Sequence, residues 1–269
     1  MQSRKSTKEI AAVEFLKLCI VVCPMIFLAG FVDAVAGGGG LISLPAYLFA
    51  GLPVHLAAGT NKVVNATGTA LASVRYFKSG KMDLPIALTA GVLALLGSSI
   101  GTRIALHLDQ TVLETAILIA LPVIAVILTV KKDFGKEGTQ PPRNWTRPQQ
   151  FVIAALIGLF IGCYDGMLGP GTGTFMIMAF TMALGMDLLC ASGCAKVGNL
   201  ASNIASAVIW IANGEVLFAL AIPAAACNLL GSYFGTRYAI RGGSQKIRGM
   251  IFVVLGLLFL KFFWNLIQK

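Results

Sequence analysis

Residues 97–103 read GSSIGTR, and residues 231–237 read GSYFGTR at an offset of 134 residues. The same offset joins further polar and glycine positions: Lys62 to Lys196, Asn65 to Asn199, and Gly80 to Gly214. At an offset of 132, GFVD at 30–33 returns as GCYD at 162–165, and a glycine-rich stretch follows each copy. Two apolar halves that repeat the same few polar residues are typical of a duplicated transporter.

The composition indicates a membrane protein. Of 269 residues, 57% are hydrophobic and 12% are charged, whereas soluble domains carry about 25% charged residues. Several apolar runs approach or exceed the roughly 18 residues that mark a membrane-spanning helix. The period-two alternation of a membrane β-barrel is absent, so helices are expected. The composition therefore predicts an all-α polytopic membrane protein embedded in the lipid bilayer.

Apolar pieces divide the chain into two homologous halves. The first half contains pieces at 18–32, 41–52, 57–77, 84–106 and 112–130, and the second contains pieces at 151–162, 175–186, 188–211, 216–238 and 247–266. We therefore expect a first transmembrane repeat at 18–130, a hydrophilic linker at 131–149 and a second transmembrane repeat at 150–267.

The first two pieces of each half are short for a membrane, and glycine-rich chain separates them. Pieces of 12 to 15 helical residues would cover only about 18–23 Å of a core near 30 Å. The favoured topology has about eight transmembrane helices (4+4) in parallel repeats, with a Gly-rich broken or re-entrant segment in each half. The positions of the basic residues favour it, although the basic turn at 241–248 would then lie outside. The alternative is a 5+5 inverted repeat.

The third piece of each half carries polar residues at helical spacing. Lys196, Asn199 and Asn203 share one helix face, and Lys62 and Asn65 lie on the matching face of the first half. Ionisable groups inside a membrane segment cost about 2.5–3.5 kcal/mol on insertion scales and are functional candidates. A lysine with nearby amides could replace the hydration shell of a small oxyanion.

Two structural interpretations of these lysines stay open at this stage. Each lysine could extend its amine to the membrane surface. Alternatively, Asp33 with Lys62 and Asp165 with Lys196 could form buried ion pairs that only fix helix register. Each aspartate lies beside a glycine break, where it could take up a proton and couple proton movement to transport, or cap a helix.

The candidate residues fall into two groups that the repeat brings into correspondence. Candidate substrate-binding residues are Gly37, Gly38, Gly39, Gly40, Thr60, Asn61, Lys62, Asn65, Gly169, Gly171, Lys196, Asn199 and Asn203. Candidate coupling residues are Asp33 and Asp165. Helices that begin after the glycine breaks would add backbone N–H groups and a positive dipole end. The sequence predicts no metal site and no cofactor.

Several function classes are disfavoured. The net charge of +10 comes mostly from basic residues between apolar runs, so no nucleic-acid partner is expected. The chain has two histidines and lacks HExxH and GxSxG motifs, so an enzyme is not expected. The six cysteines lie nearly all within apolar stretches and are expected to pack as small hydrophobes.

The paired motifs resemble the sulfite exporter TauE/SafE family, over about residues 23–266. The residues that carry the resemblance are GFVD with the glycines up to Gly40, TNK at 60–62, YDG at 164–166 with GP at 169–170, and AK at 195–196 with Asn199. Similarity is greatest to uncharacterised bacterial permeases of that family. In the second copy, Cys194 and Ala195 replace Thr60 and Asn61, so the first half-site is expected to make more polar contacts.

The resemblance implies a multi-pass permease of the bacterial inner membrane. It implies small anionic substrates such as sulfite, organosulfonates and related sulfur-containing or carboxylate anions. We therefore expect a secondary transporter coupled to an ion gradient, with H⁺ or Na⁺ as the candidate coupling ion. A passive anion channel and a membrane scaffold without transport are the alternatives, and a homo-oligomer is compatible with the sequence.

Overall fold

The computed structural model describes residues 2–113, 115–116 and 144–267. Within them the structure bounds eight helices: α1 Gln2–Ala36, α2 Gly40–Phe49, α3 Val54–Lys78, α4 Leu84–His107, α5 Arg147–Met167, α6 Thr172–Leu184, α7 Leu188–Ala212 and α8 Phe218–Ile267. The predicted piece at 112–130 and the predicted linker at 131–149 lie mostly outside the described residues.

The all-helical membrane fold is confirmed in the described part of the chain. Five helical stretches there are long and apolar enough to span a membrane: Leu18–Ala36, Leu84–His107, Arg147–Met167, Leu188–Ala212 and Phe218–Ile247. Helix α3 is as long as α7, with 25 residues in each, and it buries polar groups such as Lys62 and Asn61. The chain is therefore a polytopic α-helical membrane protein.

The first piece of each half is longer than the sequence pattern indicated. Helix α1 continues through Asp33 to Ala36, and α5 continues to Met167. Asp33 and Asp165 lie inside these helices and do not end them. Each helix ends just before a glycine whose backbone conformation other residues rarely adopt. At Gly37, φ is +76°, a left-handed conformation that favours glycine. Only the second pieces, α2 and α6, are short, with 10 and 13 residues.

Each short helix folds back along the long helix before it. A β-carbon on Gly39 would meet the carbonyl oxygen of Ala29, and Tyr47 of α2 shares a buried cluster with Val22 of α1. In the second half, Trp145 before α5 donates to the carbonyl of Ala183 near the end of α6, at 2.9 Å. The two breaks are therefore the tips of two helical hairpins.

Small residues let helices from opposite halves pack backbone to backbone. A β-carbon on Gly231 or Gly235 of α8 would collide with the carbonyl of Phe27 or Phe31 of α1. Likewise, a β-carbon on Gly97 of α4 would collide with the Leu159 carbonyl of α5. Glycines spaced four residues apart, as Gly231 and Gly235 are, are typical of closely packed membrane helices. Along each contact the residue numbers of both helices increase in the same direction. Helix α1 therefore runs parallel to α8, and α4 runs parallel to α5.

The remaining contacts set the directions of the two halves. Gly59 near the start of α3 meets Trp210 near the end of α7, and Gly193 near the start of α7 meets Lys81 just after α3. Helices α3 and α7 are therefore antiparallel. Gly68 packs against Asn228, which makes α3 parallel to α8, and Ser98 bonds Ser202 at 2.8 Å, as expected for parallel α4 and α7.

These directions disagree with the parallel 4+4 arrangement favoured from the sequence. Helices α1, α3 and α8 run one way, and α4, α5 and α7 run the other way. Equivalent helices of the two halves, such as α1 and α5, therefore point in opposite directions. The sequence could not show this, because an inverted repeat and a parallel repeat have the same offset between matching residues.

We name one end of the bundle the basic face. It is the end at which α3 finishes and α4, α5 and α7 begin, and it carries Lys78, Lys81 and Arg147. Arg147 pairs there with Asp83 at 2.8 Å. Helix α8 runs parallel to α3, so its basic turn approaches the same face. There Gly243, with φ of +65°, interrupts the helix between the two predicted pieces 216–238 and 247–266.

Candidate functional site

The two hairpin tips contact each other through their backbones. A β-carbon on Gly37 would collide with the backbone of Gly173 and Thr174. The Thr174 amide donates to the Gly37 carbonyl at 3.2 Å, and the Thr174 hydroxyl donates to the Ala36 carbonyl at 2.8 Å. The helix breaks predicted at both glycine stretches are confirmed, and they face each other.

Short helices begin at both tips without side-chain caps. Helix α2 begins after Gly39 and α6 begins after Gly171, whose φ is +79°. The Leu41 and Ile42 amides donate to backbone carbonyls of the first tip, and the Thr172 amide donates to a carbonyl of the second. Both helix starts therefore direct a positive dipole end at the junction of the tips.

Lys62 forms a buried ion pair across the two halves. Its amine lies 2.8 Å from one carboxylate oxygen of Asp165 and donates to the Asp165 carbonyl at 2.6 Å. Lys62 is 5% exposed and Asp165 is 2% exposed. A cation held this way in the interior cannot extend to the membrane surface.

Lys196 forms the second buried ion pair, and it is also made across the halves. Its amine lies 3.0 Å from a carboxylate oxygen of Asp33 and also donates to the Asp33 carbonyl. The Lys196 side chain is fully buried, whereas the Asp33 side chain is 16% exposed. Both lysines therefore reach the tip of the opposite hairpin. The interpretation in which each lysine extends its amine to the membrane surface is wrong for both.

The partners differ from those expected from the sequence, which paired Asp33 with Lys62 and Asp165 with Lys196 within each half. The reason is the packing of the hairpins. Helix α1 packs mainly against α8 of the second half, and α5 packs mainly against α4 of the first half. Each hairpin tip therefore points its aspartate toward the lysine helix of the other half.

The two carboxylates have different surroundings. Asp165 accepts hydrogen bonds from the hydroxyl of Thr172 at 2.7 Å and from the hydroxyl of Ser202, in addition to Lys62. At the matching offsets, the first half has Gly40 and Gly68. Among the described residues, Asp33 receives a side-chain hydrogen bond only from Lys196. Neither Thr172 nor Ser202 was predicted as a site residue, although their offsets from Gly40 and Gly68 mark both as polar positions present in the second half alone.

Amide side chains extend from the lysines along both helices. Asn65 donates to Asn61 at 3.2 Å, and Asn203 donates to Asn199 at 3.2 Å. Asn228 of α8, which was not predicted, donates to Asn65 at 3.4 Å. The predicted amides therefore form two hydrogen-bonded ladders, Asn61 with Asn65 on α3 and Asn199 with Asn203 on α7.

Other predicted residues have different contacts. The Thr60 hydroxyl accepts a hydrogen bond from the Leu217 amide at 3.0 Å, at the turn between α7 and α8. Gly169 has φ of +89°, and a β-carbon there would lie 3.4 Å from the Lys62 amine. Gly38 and Gly40 complete the first tip. The structure therefore brings the predicted glycines, lysines and aspartates together and places the Thr60 hydroxyl on the α7–α8 turn.

Comparisons with known proteins agree with this architecture. The family model described as sulfite exporter TauE/SafE matches residues 22–262. A probable membrane transporter protein of Haemophilus influenzae is 31% identical over 88% of this chain and 91% of its own length. The probable membrane transporter protein ORF9 of a Sinorhizobium species is 31% identical, covering 85% of each chain.

A third relative, the probable membrane transporter protein YfcA of Escherichia coli K12, is 29% identical over 88% of this chain and 87% of its own length. No solved structure gives a significant match. The bacterial relatives and the five candidate spans fit a multi-pass protein of the inner membrane. The chain belongs to the sulfite exporter TauE/SafE family of membrane transporters.

Proposed function

We propose that this membrane transporter is a secondary transporter of small anions, with sulfite, organosulfonates or related sulfur-containing or carboxylate anions as substrates. The observation that carries the proposal is the pair of buried Lys–Asp contacts where the two hairpin tips meet. An anion would enter by replacing a carboxylate beside its lysine. The side-chain amides of both ladders would complete its hydrogen bonding, and the positive dipole ends at the starts of α2 and α6 would favour its charge.

The difference between the carboxylates supports a distinct role for each. We infer that Asp165 fixes the second tip, because three side chains hold it. Asp33 is held by one side chain and is partly exposed, so it can leave Lys196 when an anion arrives. An unpaired carboxylate inside the membrane is costly, and protonation of Asp33 would neutralise its charge. This exchange would couple movement of a proton to movement of the anion.

A flux assay tests the proposal. Purified protein in liposomes is expected to exchange labelled sulfite, or another anion from a panel of thiosulfate, sulfoacetate, taurine and simple carboxylates, across the membrane with saturation. A bound anion at 100 times its Kd should also stabilise the protein by about 2.7 kcal/mol in a thermal unfolding assay. Non-saturating flux without exchange would indicate a passive channel, and no flux with any anion would indicate a scaffold.

Replacing each aspartate by asparagine should separate coupling from structure. Asp33→Asn leaves Lys196 without its counter-charge and is expected to lose stability. Its amide oxygen can still accept from Lys196, however, and the folded protein should lose its response to an imposed proton gradient. Asp165→Asn is expected to lose stability by about 3–5 kcal/mol, because one oxygen cannot serve three donors and Lys62 loses its counter-charge. The readouts are pH-gradient-driven uptake and thermal unfolding. Wild-type gradient dependence in Asp33→Asn would contradict the coupling role.

We further propose that residues 18–130 and 150–267 are inverted repeats joined by 131–149, with five apolar pieces in each. The helix directions support this arrangement. It puts Lys78, Lys81 and the turn at 241–248 on the basic face, which the positive-inside rule assigns to the cytoplasm, and it puts the basic start of α1 on the opposite face. Parallel repeats would leave that turn outside.

Cysteine labelling distinguishes the two topologies. Ser79 and Asn213 are equivalent by offset and lie at the ends of antiparallel helices α3 and α7. In a variant whose six native cysteines are replaced, we expect a membrane-impermeant maleimide to label Asn213→Cys on intact cells. Ser79→Cys should react only after the membrane is opened. Labelling of both from the same side would support parallel repeats.

A further inference from the structure

A groove on the outer surface of the bundle lies away from the ion pairs. It has a volume of about 440 Å³ and is lined by three cationic and three aromatic side chains: Phe31, Phe234, Arg237, Tyr238, Arg241 and Lys246. It lies beside the end of α8 that approaches the basic face. The transport mechanism proposed above uses none of these side chains.

In the described part of the chain, the three cations have no acidic partner. Among the described residues, no carboxylate lies within 4.0 Å of Arg237, Arg241 or Lys246. The Lys246 amine instead lies over the Tyr238 ring, 4.4 Å from its centre. Arg237 and Arg241 are one helical turn apart, so both can reach one ligand. Unpaired cations gathered in one groove favour an anionic ligand.

The groove faces the bilayer. The exposed side of α8 leading to it is apolar, with Ile222 71% exposed, Leu230 56% exposed and Phe234 48% exposed. In a membrane-spanning helix, such a face contacts lipid tails. Arg237 and Arg241 follow about one and two turns beyond Phe234, where an apolar span reaches the headgroup level and aromatic and basic residues are typical.

We propose that this groove binds the phosphodiester headgroup of an anionic phospholipid, with the acyl chains lying on the exposed face of α8. Charge and position support this occupant together. The cations match the phosphate, and the adjacent apolar face matches the tails. Basic pockets between transmembrane helices on the cytoplasmic side are known binding places for anionic headgroups. A soluble anion would use the cations and leave the apolar face without a role.

Native mass spectrometry of the detergent-solubilised protein tests this proposal. Phosphatidylglycerol is titrated against phosphatidylcholine, and soluble glycerol 3-phosphate is the third ligand. The wild type should bind phosphatidylglycerol preferentially. Arg237→Gln/Arg241→Gln should weaken that binding about 30-fold, since each cation near an anionic lipid contributes about fivefold. Arg237→Lys/Arg241→Lys should keep most of it.

Lys78→Gln/Lys81→Gln is the matched control, because it removes two exposed charges from the same face outside the groove. It should bind phosphatidylglycerol as the wild type does. Equal binding of both phospholipids by the wild type, or an unchanged affinity in Arg237→Gln/Arg241→Gln, would overturn the proposal. Equal affinity for glycerol 3-phosphate would show a site for soluble anions instead and would also overturn it.

Discussion

Lys196→Gln combined with Asp33→Asn is expected to leave a folded protein that no longer transports the anion. The double change removes both charges of the buried pair, so no unpaired charge remains in the interior. Loss of the lysine deprives the substrate of its counter-charge. Loss of one partner from a buried charge pair typically costs about 3–5 kcal/mol, or a few hundredfold or more in affinity.

The measurement is saturable anion exchange in liposomes, with thermal unfolding as the test of folding. Arg147→Gln/Asp83→Asn is the matched control. It neutralises an ion pair of 2.8 Å whose arginine side chain is 62% exposed, and such surface pairs contribute at most about 1 kcal/mol. Transport at the wild-type rate in Lys196→Gln/Asp33→Asn would show that the pair only holds the hairpin tip in place.

Lys62 is expected to behave differently in the same assay. Lys62→Gln should mainly destabilise the fold, because it removes the cation that Asp165 shares with two hydroxyl groups. The sequence instead predicted more polar contacts for an anion beside Lys62, from Thr60 and Asn61, than beside Lys196. The Thr60 hydroxyl accepts a hydrogen bond from the Leu217 amide, so it does not add to the contacts beside Lys62.

Gly37→Ala is expected to prevent the two hairpins from meeting. The substitution places a β-carbon on a residue in the left-handed conformation, which costs about 1–2 kcal/mol of stability. It also forces a carbon into the backbone of Gly173 and Thr174, and overpacking of this kind costs about 1–3 kcal/mol more. Together these terms amount to about 2–5 kcal/mol, a large share of a typical folding stability.

Gly80→Ala is the matched control for this change. Gly80 has φ of +68°, close to the +76° of Gly37, but a β-carbon there has no atom within 4 Å. It therefore isolates the conformational cost from the collision. The measurement is the yield and thermal unfolding temperature of purified protein. If both variants unfold at the same temperature, the contact between tips contributes nothing to assembly.

Composition and the internal repeat were sufficient to predict the class of protein and the places where its helices break. Composition indicates a bilayer, where every backbone polar group must be satisfied internally, and the absence of period-two alternation then leaves helices. Duplicated glycine stretches beside duplicated aspartates were enough to locate both tips. A positive φ, as at Gly37 and Gly169, is a local requirement that glycine meets without help from distant residues.

Which half each site residue contacts depends on how the helices pack, and the sequence did not predict it. A repeat offset relates Lys62 to Lys196 but carries no direction, so the sequence could not distinguish inverted from parallel halves. Because α1 packs against α8 and α5 against α4, the lysines exchange partners, and Asp165 receives two hydroxyl groups that Asp33 lacks. The two Lys–Asp pairings join residues more than 100 positions apart, and no local pattern records them.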